Sequence, residues 1–279
     1  MSVILHSATA EECRRLWPAV ANDRIFETAE QFLAYRDEAP WMVRVSEKGD
    51  AAVLGVWRAH LDVLAMRGVW CAERLVPAMC ADAVAVARQH GFARLVSPLL
   101  PEILLDGYRR AGMRAEYPVV AIQGLPTQVA SLEPGEGVRL SAAVPGDRAE
   151  LADLIALDAE CFEPFWRYGE PELIELLATE RAVVARTDSG DLIGYTLATV
   201  SRGAATLGRL AVSPRARRQG VGRALVADVA RWAGESGAMT LGLCTQEENT
   251  ASRALYRSAG LHEIEDRYAM AIRDVGGDS

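Results

Sequence analysis

The segment from residue 206 to residue 234 constrains the fold of this chain more than any other. Residues 206–212 form a mainly apolar run with the composition of a buried strand. A basic loop that contains Gly220 and Gly222 follows this run. Residues 220–234 then place five apolar side chains on one helical face, namely Val221, Leu225, Val226, Val229 and Trp232. A strand joined by a loop to an amphipathic helix is typical of an α/β protein.

The loop between this strand and this helix has the chemistry of a phosphate-binding site. Its glycines let the backbone approach a ligand closely, and the helix N-terminus adds a partial positive charge. Arg217, Arg218 and Arg223 add full positive charges. The spacing matches neither the P-loop nor the dinucleotide GxGxxG pattern. The alternative interpretation is a solvated basic turn in front of a core helix.

The rest of the second half alternates between strand and helix patterns. Strands are predicted at residues 138–142, 182–186, 192–200, 206–212, 240–245 and 268–272. Helices are predicted at residues 147–161, 170–180, 220–234 and 251–259. A turn at residues 188–190 joins two strands as a hairpin, and Gly260 ends the last helix. We therefore expect an α/β fold, more specifically an α+β arrangement in which the strands of the sheet run in mixed directions.

The first half repeats this order. A strand is expected at residues 3–5, helices at 10–20 and 29–36, and a hairpin turn at 48–50. Tyr-Arg-Arg-Ala-Gly-Met at residues 108–113 corresponds to Tyr-Arg-Ser-Ala-Gly-Leu at residues 256–261. This ordered series predicts a diverged internal duplication, with chance similarity of two helix ends as the alternative. A linker at residues 126–137, rich in Pro and Gly, separates the predicted domains 1–125 and 138–275.

Two motifs of the second half resemble those of the GNAT superfamily of acetyltransferases. Leu210-Ala211-Val212 followed by Arg217-x-x-Gly220-x-Gly222 is similar to its pyrophosphate signature. Residues 249–261 are similar to its second motif, N-x-x-A-x-x-L-Y-x-x-x-G-F, with Leu in place of the final Phe. The resemblance covers residues 138–273 and reaches the first half only through the duplication. It implies two tandem GNAT-like domains, of which the first is degenerate.

The resemblance also implies site roles. Acetyl-CoA would be the co-substrate, with no metal, and a bulge would splay the strand at residues 210–212 so that its backbone binds the pantetheine arm. Asn249 would contact this arm near its thiol, although the residue is equally suited to be only a helix N-cap. Tyr256 would be the catalytic residue that protonates the departing thiolate, the alternative being a buried ring with a bonded hydroxyl. The expected cofactor-binding residues are Leu210, Ala211, Val212, Arg217, Arg218, Gln219, Gly220, Val221, Gly222, Arg223 and Asn249.

A general base is not evident from the sequence. Relatives that resemble the ribosomal-protein N-terminal acetyltransferases carry a Glu early on the strand before the Asn, where this chain has Gly242. The remaining candidates are a water molecule or one of four carboxylates, Glu160, Glu163, Glu247 and Glu248. Residues 160–166 resemble the acceptor-side loop of the family. Cys161 and Cys244 are alternative acyl-carrying nucleophiles, which the lack of a nearby His in the sequence disfavours.

The corresponding loop of the first half, residues 67–77, lacks the paired glycines and contains Trp70, Glu73 and Pro77. We therefore expect that the first copy does not bind CoA in the usual way. The resemblance implies direct transfer of an acetyl group in a ternary complex to a primary amine, either a small molecule or a protein N-terminus. The alternative is a non-catalytic acyl-CoA sensor, because the Glu of the family is missing.

Charge and composition limit the classes of partner that the chain is expected to bind. The net charge of −8 argues against binding to nucleic acid or to an anionic membrane. The five cysteines are scattered without metal-ligand spacing, which favours free thiols in a reducing compartment and no metal site. The N-terminus lacks the pattern of a signal peptide. We therefore expect a cytoplasmic monomer or homodimer.

Overall fold

A computed structural model describes residues 4–23, 25–26, 28–58, 60–129 and 137–276 of the chain. The first half forms, in order, β1 (Leu5–Ser7), α1 (Ala10–Asp23), α2 (Ala29–Glu38), β2 (Val43–Ser46), β3 (Ala51–Trp57), β4 (His60–Trp70), α3 (Val76–Gln89), β5 (Arg94–Val96), β6 (Leu100–Pro101), α4 (Asp106–Arg110) and β7 (Arg114–Gly124). The second half forms β8 (Val138–Ala142), α5 (Arg148–Cys161), α6 (Glu170–Thr179), β9 (Arg181–Thr187), β10 (Leu192–Ser201), β11 (Ala204–Val212), α7 (Val221–Glu235), β12 (Thr240–Gln246), α8 (Thr250–Ser258) and β13 (His262–Asp274). Apart from β6, the two halves repeat the same order of strands and helices, and the predicted α/β architecture with a mixed sheet is confirmed.

The chain packs into two compact units. One contains the described residues up to Pro118 and from Tyr268 onward, and the other is Val119–Arg267. In the first unit, β1 to β4 are antiparallel neighbours, β4 is parallel to β5, and the end of β13 lies antiparallel to β5. In the second unit, β8 to β11 are antiparallel neighbours, β11 is parallel to β12, and β7 lies antiparallel to β12.

Each unit therefore contains part of the last strand of the other half, because residues 119–124 of β7 belong to the second unit and residues 268–274 of β13 belong to the first. The predicted domains 1–125 and 138–275 remain a prediction about the two copies, and the packing departs from them at β7 and β13. The first turn of the predicted linker, Pro126–Gln128, is a short 3-10 helix. Residues 130–136 lie outside the described residues.

Most predicted elements have ends within two residues of those observed, and the exceptions are the helix predicted at residues 10–20, which continues to Asp23, and the last strand. The first strand is Leu5–Ser7 rather than residues 3–5, of which only 4 and 5 are described. The last strand begins at His262 instead of residue 268, because its first half is mostly polar and half-exposed and so lacks an apolar pattern. Among the described residues, no helix has the length and the apolar character needed to cross a bilayer.

Helices cover both faces of the strands of the second unit. On one face, Leu154 and Leu157 of α5 and Leu173 of α6 pack with Tyr195 and Leu197 of β10. The opposite face is covered by α7, as Val221 and Leu225 pack against Val183 and Ile193. These clusters define an α5–α6 face and an α7 face of the sheet.

Candidate active site

A gap opens between the neighbouring strands β11 and β12 of the second unit. The parallel pairing of these strands covers only residues 204–206 and 240–242. Beyond this point, residues 207–212 have β10 on one edge and no paired strand of the described chain on the other. Backbone groups along such an edge are available to a ligand that bonds as an additional strand does.

The irregularity in β11 lies at Gly208. Leu197 of β10 is opposite Arg209, and Ala198 is opposite Leu207, so that Gly208 is an extra residue between the two pairs. The sequence prediction had placed this bulge at residues 210–212, which is two residues too far along the strand. An extra residue twists and bends a strand, and in β11 it comes directly after the last pair shared with β12.

The loop after β11 leads into an uncapped helix. Ser213 is buried, and its N–H donates to the Ile193 carbonyl at 2.9 Å. Gly220 takes the N-cap position of α7 with φ 84°, a left-handed conformation that disfavours other residues. No side chain caps this end among the described residues. The first N–H groups of the helix, those of Val221, Gly222 and Arg223, therefore remain available at its positive end.

The arginines of this loop are exposed. The structure records no carboxylate within ion-pair distance of Arg217, Arg218 or Arg223 in the described part of the chain. The Arg217 Nε has only a long contact of 3.4 Å with the Val212 carbonyl, whereas the Gln219 amide donates to the Arg215 carbonyl at 2.9 Å. Positive charge that is not neutralised, next to free helix N–H groups, suits a pyrophosphate.

Gly222 has a packing role that differs from the one expected. A Cβ at this position would lie 3.1 Å from Leu255 Cδ2 and 3.6 Å from Val212 Cγ2. The glycine therefore lets the first turn of α7 approach both α8 and the end of β11. Close approach to a phosphate remains a prediction for the loop as a whole.

Asn249 is the N-cap of α8, as the alternative interpretation proposed. Its Oδ1 accepts a hydrogen bond from the Ser252 N–H at 3.0 Å. This bond satisfies one of the free donors at the start of the helix. The additional contact of Asn249 with the cofactor arm stays a prediction.

Tyr256 lies in the core on the α7 face, in a cluster that includes Leu207 of β11 and Leu243 of β12. Only 5% of the residue is exposed, and burial raises the pKa of its hydroxyl. This hydroxyl has no hydrogen-bond partner among the described residues, which departs from the bonded hydroxyl of the alternative interpretation. The hydroxyl is not among the completely buried polar atoms that lack a partner, and its part in protonating the thiolate stays a prediction.

A buried ion pair that sequence reasoning missed holds the α5–α6 face in place. Arg209 of β11 donates to Asp158 Oδ1 through Nε at 2.9 Å and through a terminal nitrogen at 2.6 Å. Tyr195 also donates to this carboxylate, and the Tyr168 N–H donates to its other oxygen at 2.9 Å. Asp158 is fully buried and Arg209 is 6% exposed. The sequence signal for this pair was the position of Asp158. It directly follows the apolar positions Leu154 and Leu157 of a helix and precedes a loop that contains several aromatic residues.

The same arginine orders the loop that resembles the acceptor-side loop of the family. Its guanidinium lies 3.3 Å from the centre of the Phe162 ring and 4.3 Å from that of Tyr168, and it donates to the Trp166 carbonyl at 2.8 Å. Stacking and hydrogen bonds thereby fix residues 162–168 against β11. The aromatic side chains Phe162 and Tyr168 are used to cover Arg209.

None of the proposed carboxylate bases is buried at the gap. Glu160, Glu163, Glu247 and Glu248 are all exposed, and Glu160 accepts a hydrogen bond from Ser213 at 3.1 Å. Burial raises the pKa of the Cys161 thiol to about 11 and also raises that of Cys244. Both thiols are therefore protonated at neutral pH, which argues against a covalent acyl-cysteine.

Part of the chain matches a known family. Residues 151–261 match the model of the acetyltransferase (GNAT) family. Over 77 residues the chain is 36% identical to the ribosomal protein bS18-alanine N-acetyltransferase of Escherichia coli (strain K12), which is 28% of this chain and 52% of that relative. The chain thus spans about half the length of the curated relatives it matches.

Solved structures resemble the whole chain. A GCN5-related N-acetyltransferase from Sphaerobacter thermophilus has a TM-score of 0.63 at 19% identity, over 98% of this chain and 95% of that one. A tandem GNAT protein from the clavulanic acid biosynthesis pathway has a TM-score of 0.63 at 16% identity, over 85% of this chain and 83% of that one. At these identities the likeness concerns the fold alone. Residues 151–261 are therefore similar to the acetyltransferase (GNAT) family, within a chain that has the tandem GNAT fold.

Proposed function

We propose that the unit Val119–Arg267 transfers an acetyl group from acetyl-CoA to a primary amine. One observation carries the proposal: exposed arginines without ion-pair partners surround the uncapped start of α7, directly after the strand edge that borders the gap. With its pyrophosphate at this loop, acetyl-CoA would extend its pantetheine arm along the free edge of residues 207–212. The thioester would then lie between β11 and β12.

The chemistry would be direct transfer within a ternary complex. The amine attacks the thioester carbonyl, and a backbone N–H of residues 210–212 stabilises the negative charge that develops on the carbonyl oxygen. Tyr256 protonates the departing thiolate. This transfer is weakly driven, because a thiol has a pKa of about 8.5 and burial raises that of Tyr256 above its ordinary value.

The acceptor belongs to one of two classes, small-molecule amines or protein N-termini. The bacterial relative named above acts on an alanine of a ribosomal protein, and it is matched over only 52% of its length. A peptide with an N-terminal alanine therefore belongs in the acceptor panel beside small diamines and aminoglycosides. Location in the cytoplasm, a monomeric or homodimeric state and the absence of nucleic-acid and membrane partners stay predictions.

The test combines binding with turnover. The purified chain is mixed with acetyl-CoA and each amine in turn, and free CoA thiol is measured over time. We expect at least one amine to accelerate thiol release, whereas its N-acetylated form, as the matched control, has no effect. Tight binding of acetyl-CoA in calorimetry without release on any amine would instead favour the non-catalytic acyl-CoA sensor.

A further inference from the structure

Glu180 is a carboxylate at the junction of α6 and β9. Its backbone N–H donates to the Leu176 carbonyl at 2.8 Å and so closes the helix. The next side chain, Arg181, points to the α7 face, where it donates to Asp228 at 2.6 Å. Because successive side chains along extended backbone alternate between faces, Glu180 points to the α5–α6 face, as Ala182 does.

This carboxylate lies near Gly208 of β11, the strand that borders the gap. A Cβ built on Gly208 would lie 3.7 Å from Glu180 Oε2, the one side-chain atom within 4 Å of that point among the described residues. Across the gap, a Cβ built on Gly242 would have one atom of the described residues within 4 Å, the Ile122 carbonyl oxygen at 3.8 Å. Gly242 lies between Leu241 and Leu243, which point to the α7 face with Tyr256, so it faces the α5–α6 side as Glu180 does. Two glycines therefore leave open space that one carboxylate faces.

Glu180 has no charge partner. It is half-buried, and the structure records no ion pair or side-chain hydrogen bond for it within the described ranges. Burial is the cause that raises the pKa of its carboxyl. The nearby cation of the sheet, Arg209, is already bound to Asp158. A partly desolvated carboxylate without a partner is unfavourable for the fold, and such groups are concentrated at functional sites.

We propose that the Glu180 carboxylate is the general base that deprotonates the acceptor amine. The proposal rests on the transferase function proposed above. Relatives place the proton acceptor on the strand equivalent to β12, where this chain has Gly242. In this chain the Glu180 carboxylate would take that role from the end of α6. The open space above Gly208 and Gly242 would receive the ammonium group.

The proton transfers balance as follows. The acceptor ammonium gives one proton to Glu180, and the nitrogen lone pair then forms a C–N bond with the thioester carbonyl carbon. When the tetrahedral intermediate collapses, the C–S bond breaks and the thiolate takes a proton from Tyr256. The nitrogen loses a second proton, which restores Tyr256, and Glu180 returns its proton to solvent. The products are an amide, CoA with a free thiol and one proton.

The first test is Glu180→Gln, which keeps the size of the side chain and removes its basicity. With acetyl-CoA and the amine that the wild type acetylates fastest, we expect kcat to fall at least about a hundredfold, since general bases contribute about 10² to 10⁴. The dissociation constant of acetyl-CoA should stay within about twofold, because Glu180 faces the acceptor side. Glu175→Gln, which changes an exposed carboxylate on the same helix, is the matched control and should retain full activity.

The pH profile separates a base from a structural carboxylate. In the wild type, kcat/KM should rise as Glu180 loses its proton and then level off. In Glu180→Gln it should continue to rise toward the pKa of the free amine, about 8 for an N-terminus and about 10 for a lysine-like amine. Glu180→Asp should recover part of the lost kcat, because it restores a carboxylate.

The outcomes distinguish the two proposals. A wild-type chain that binds acetyl-CoA but acetylates no amine overturns the transferase function, and the base with it. A wild-type chain that turns over, with kcat of Glu180→Gln within threefold and an unchanged pH profile, overturns the base alone. Thermal unfolding of each variant is measured alongside, and the Glu180→Asp result decides the case if Glu180→Gln loses stability.

Discussion

The strand with a bulge, β4 in the first unit and β11 in the second, has different side chains at its bulge. In β4 the extra residue is Arg67, between the pairs Val53–Gly68 and Leu54–Met66, whereas in β11 it is Gly208. The Arg67 guanidinium lies over the rings of Phe26 and Tyr35 at 5.8 and 5.7 Å. Aromatic side chains therefore fill the face of the first unit that Gly208 leaves open in the second.

The turn that joins this strand to the next helix also differs between the two units. Five residues, 71–75, join β4 to α3, whereas eight residues, 213–220, join β11 to α7. The Trp70 ring folds back over the strand, so that a Cβ at Gly68 would lie 2.5 Å from it. The shorter turn lacks the left-handed glycine at the helix start and has Leu75 in that place.

We therefore expect that this fold can be kept while a ligand site is lost through a few substitutions. Both units retain the bulge, a strand parallel to its neighbour and a buried tyrosine on the helix that follows. What differs is the length of one turn and the size of the side chains at two strand positions.

The largest expected effect concerns the buried ion pair of Arg209 with Asp158. Arg209 follows the extra residue of β11, and Gly68 has the corresponding position in β4 of the first unit. Asp158→Asn leaves the Arg209 guanidinium buried without a counter-charge, and we expect the free energy of unfolding to fall by about 3 to 5 kcal/mol. Urea denaturation measures it. The control is Asp153→Asn on the same helix, whose partly exposed pair with Arg186 should contribute less than about 1 kcal/mol. Equal stability losses in the two variants would contradict a structural role for the buried pair.

The arginines of the two turns are expected to differ in cofactor binding. Arg218→Ala removes a charge-assisted contact with phosphate, which contributes about 1.5 to 3 kcal/mol, so that the dissociation constant of acetyl-CoA should rise at least about tenfold. Arg74→Ala changes an exposed arginine in the shorter turn of the first unit and should leave affinity unchanged. Calorimetry at two salt concentrations measures both variants. A weaker affinity in Arg74→Ala than in Arg218→Ala would reverse the assignment of the two turns.

The two buried tyrosines give the smallest expected difference. Burial raises the pKa of both Tyr108 and Tyr256. Tyr256→Phe should lower kcat about tenfold, less than the usual 10² to 10⁴ for an acid catalyst, because a thiolate is a good leaving group. Tyr108→Phe should leave kcat unchanged. Steady-state thiol release measures both, and equal effects would remove Tyr256 from the reaction.

Local patterns in the sequence predicted much of this structure. The strand Val138–Ala142 and the turns at residues 48–50 and 188–190 are where the periodicity and the glycines indicated. The exchange of β7 and β13 between units was not predictable, because an apolar strand pattern does not specify its neighbour. Glu180 and the pair of Asp158 with Arg209 were missed for a related reason. The proposed role of Glu180 depends on its position near Gly208, and that of Asp158 depends on its contact with Arg209 in the core. Both contacts join residues that are distant in sequence.

The most direct test of the central claim is the stoichiometry of acetyl-CoA binding in calorimetry. Gly220→Glu places a bulky anion at the start of α7, and Gly237→Glu is its control at the other end of the same helix. Both glycines have a positive φ, 84° and 76°, with no described atom near an added Cβ, so the two variants share the backbone strain. We expect one acetyl-CoA per chain in the wild type and in Gly237→Glu, and none in Gly220→Glu. Two sites per chain, or unchanged affinity in Gly220→Glu, would contradict a single site in the second unit.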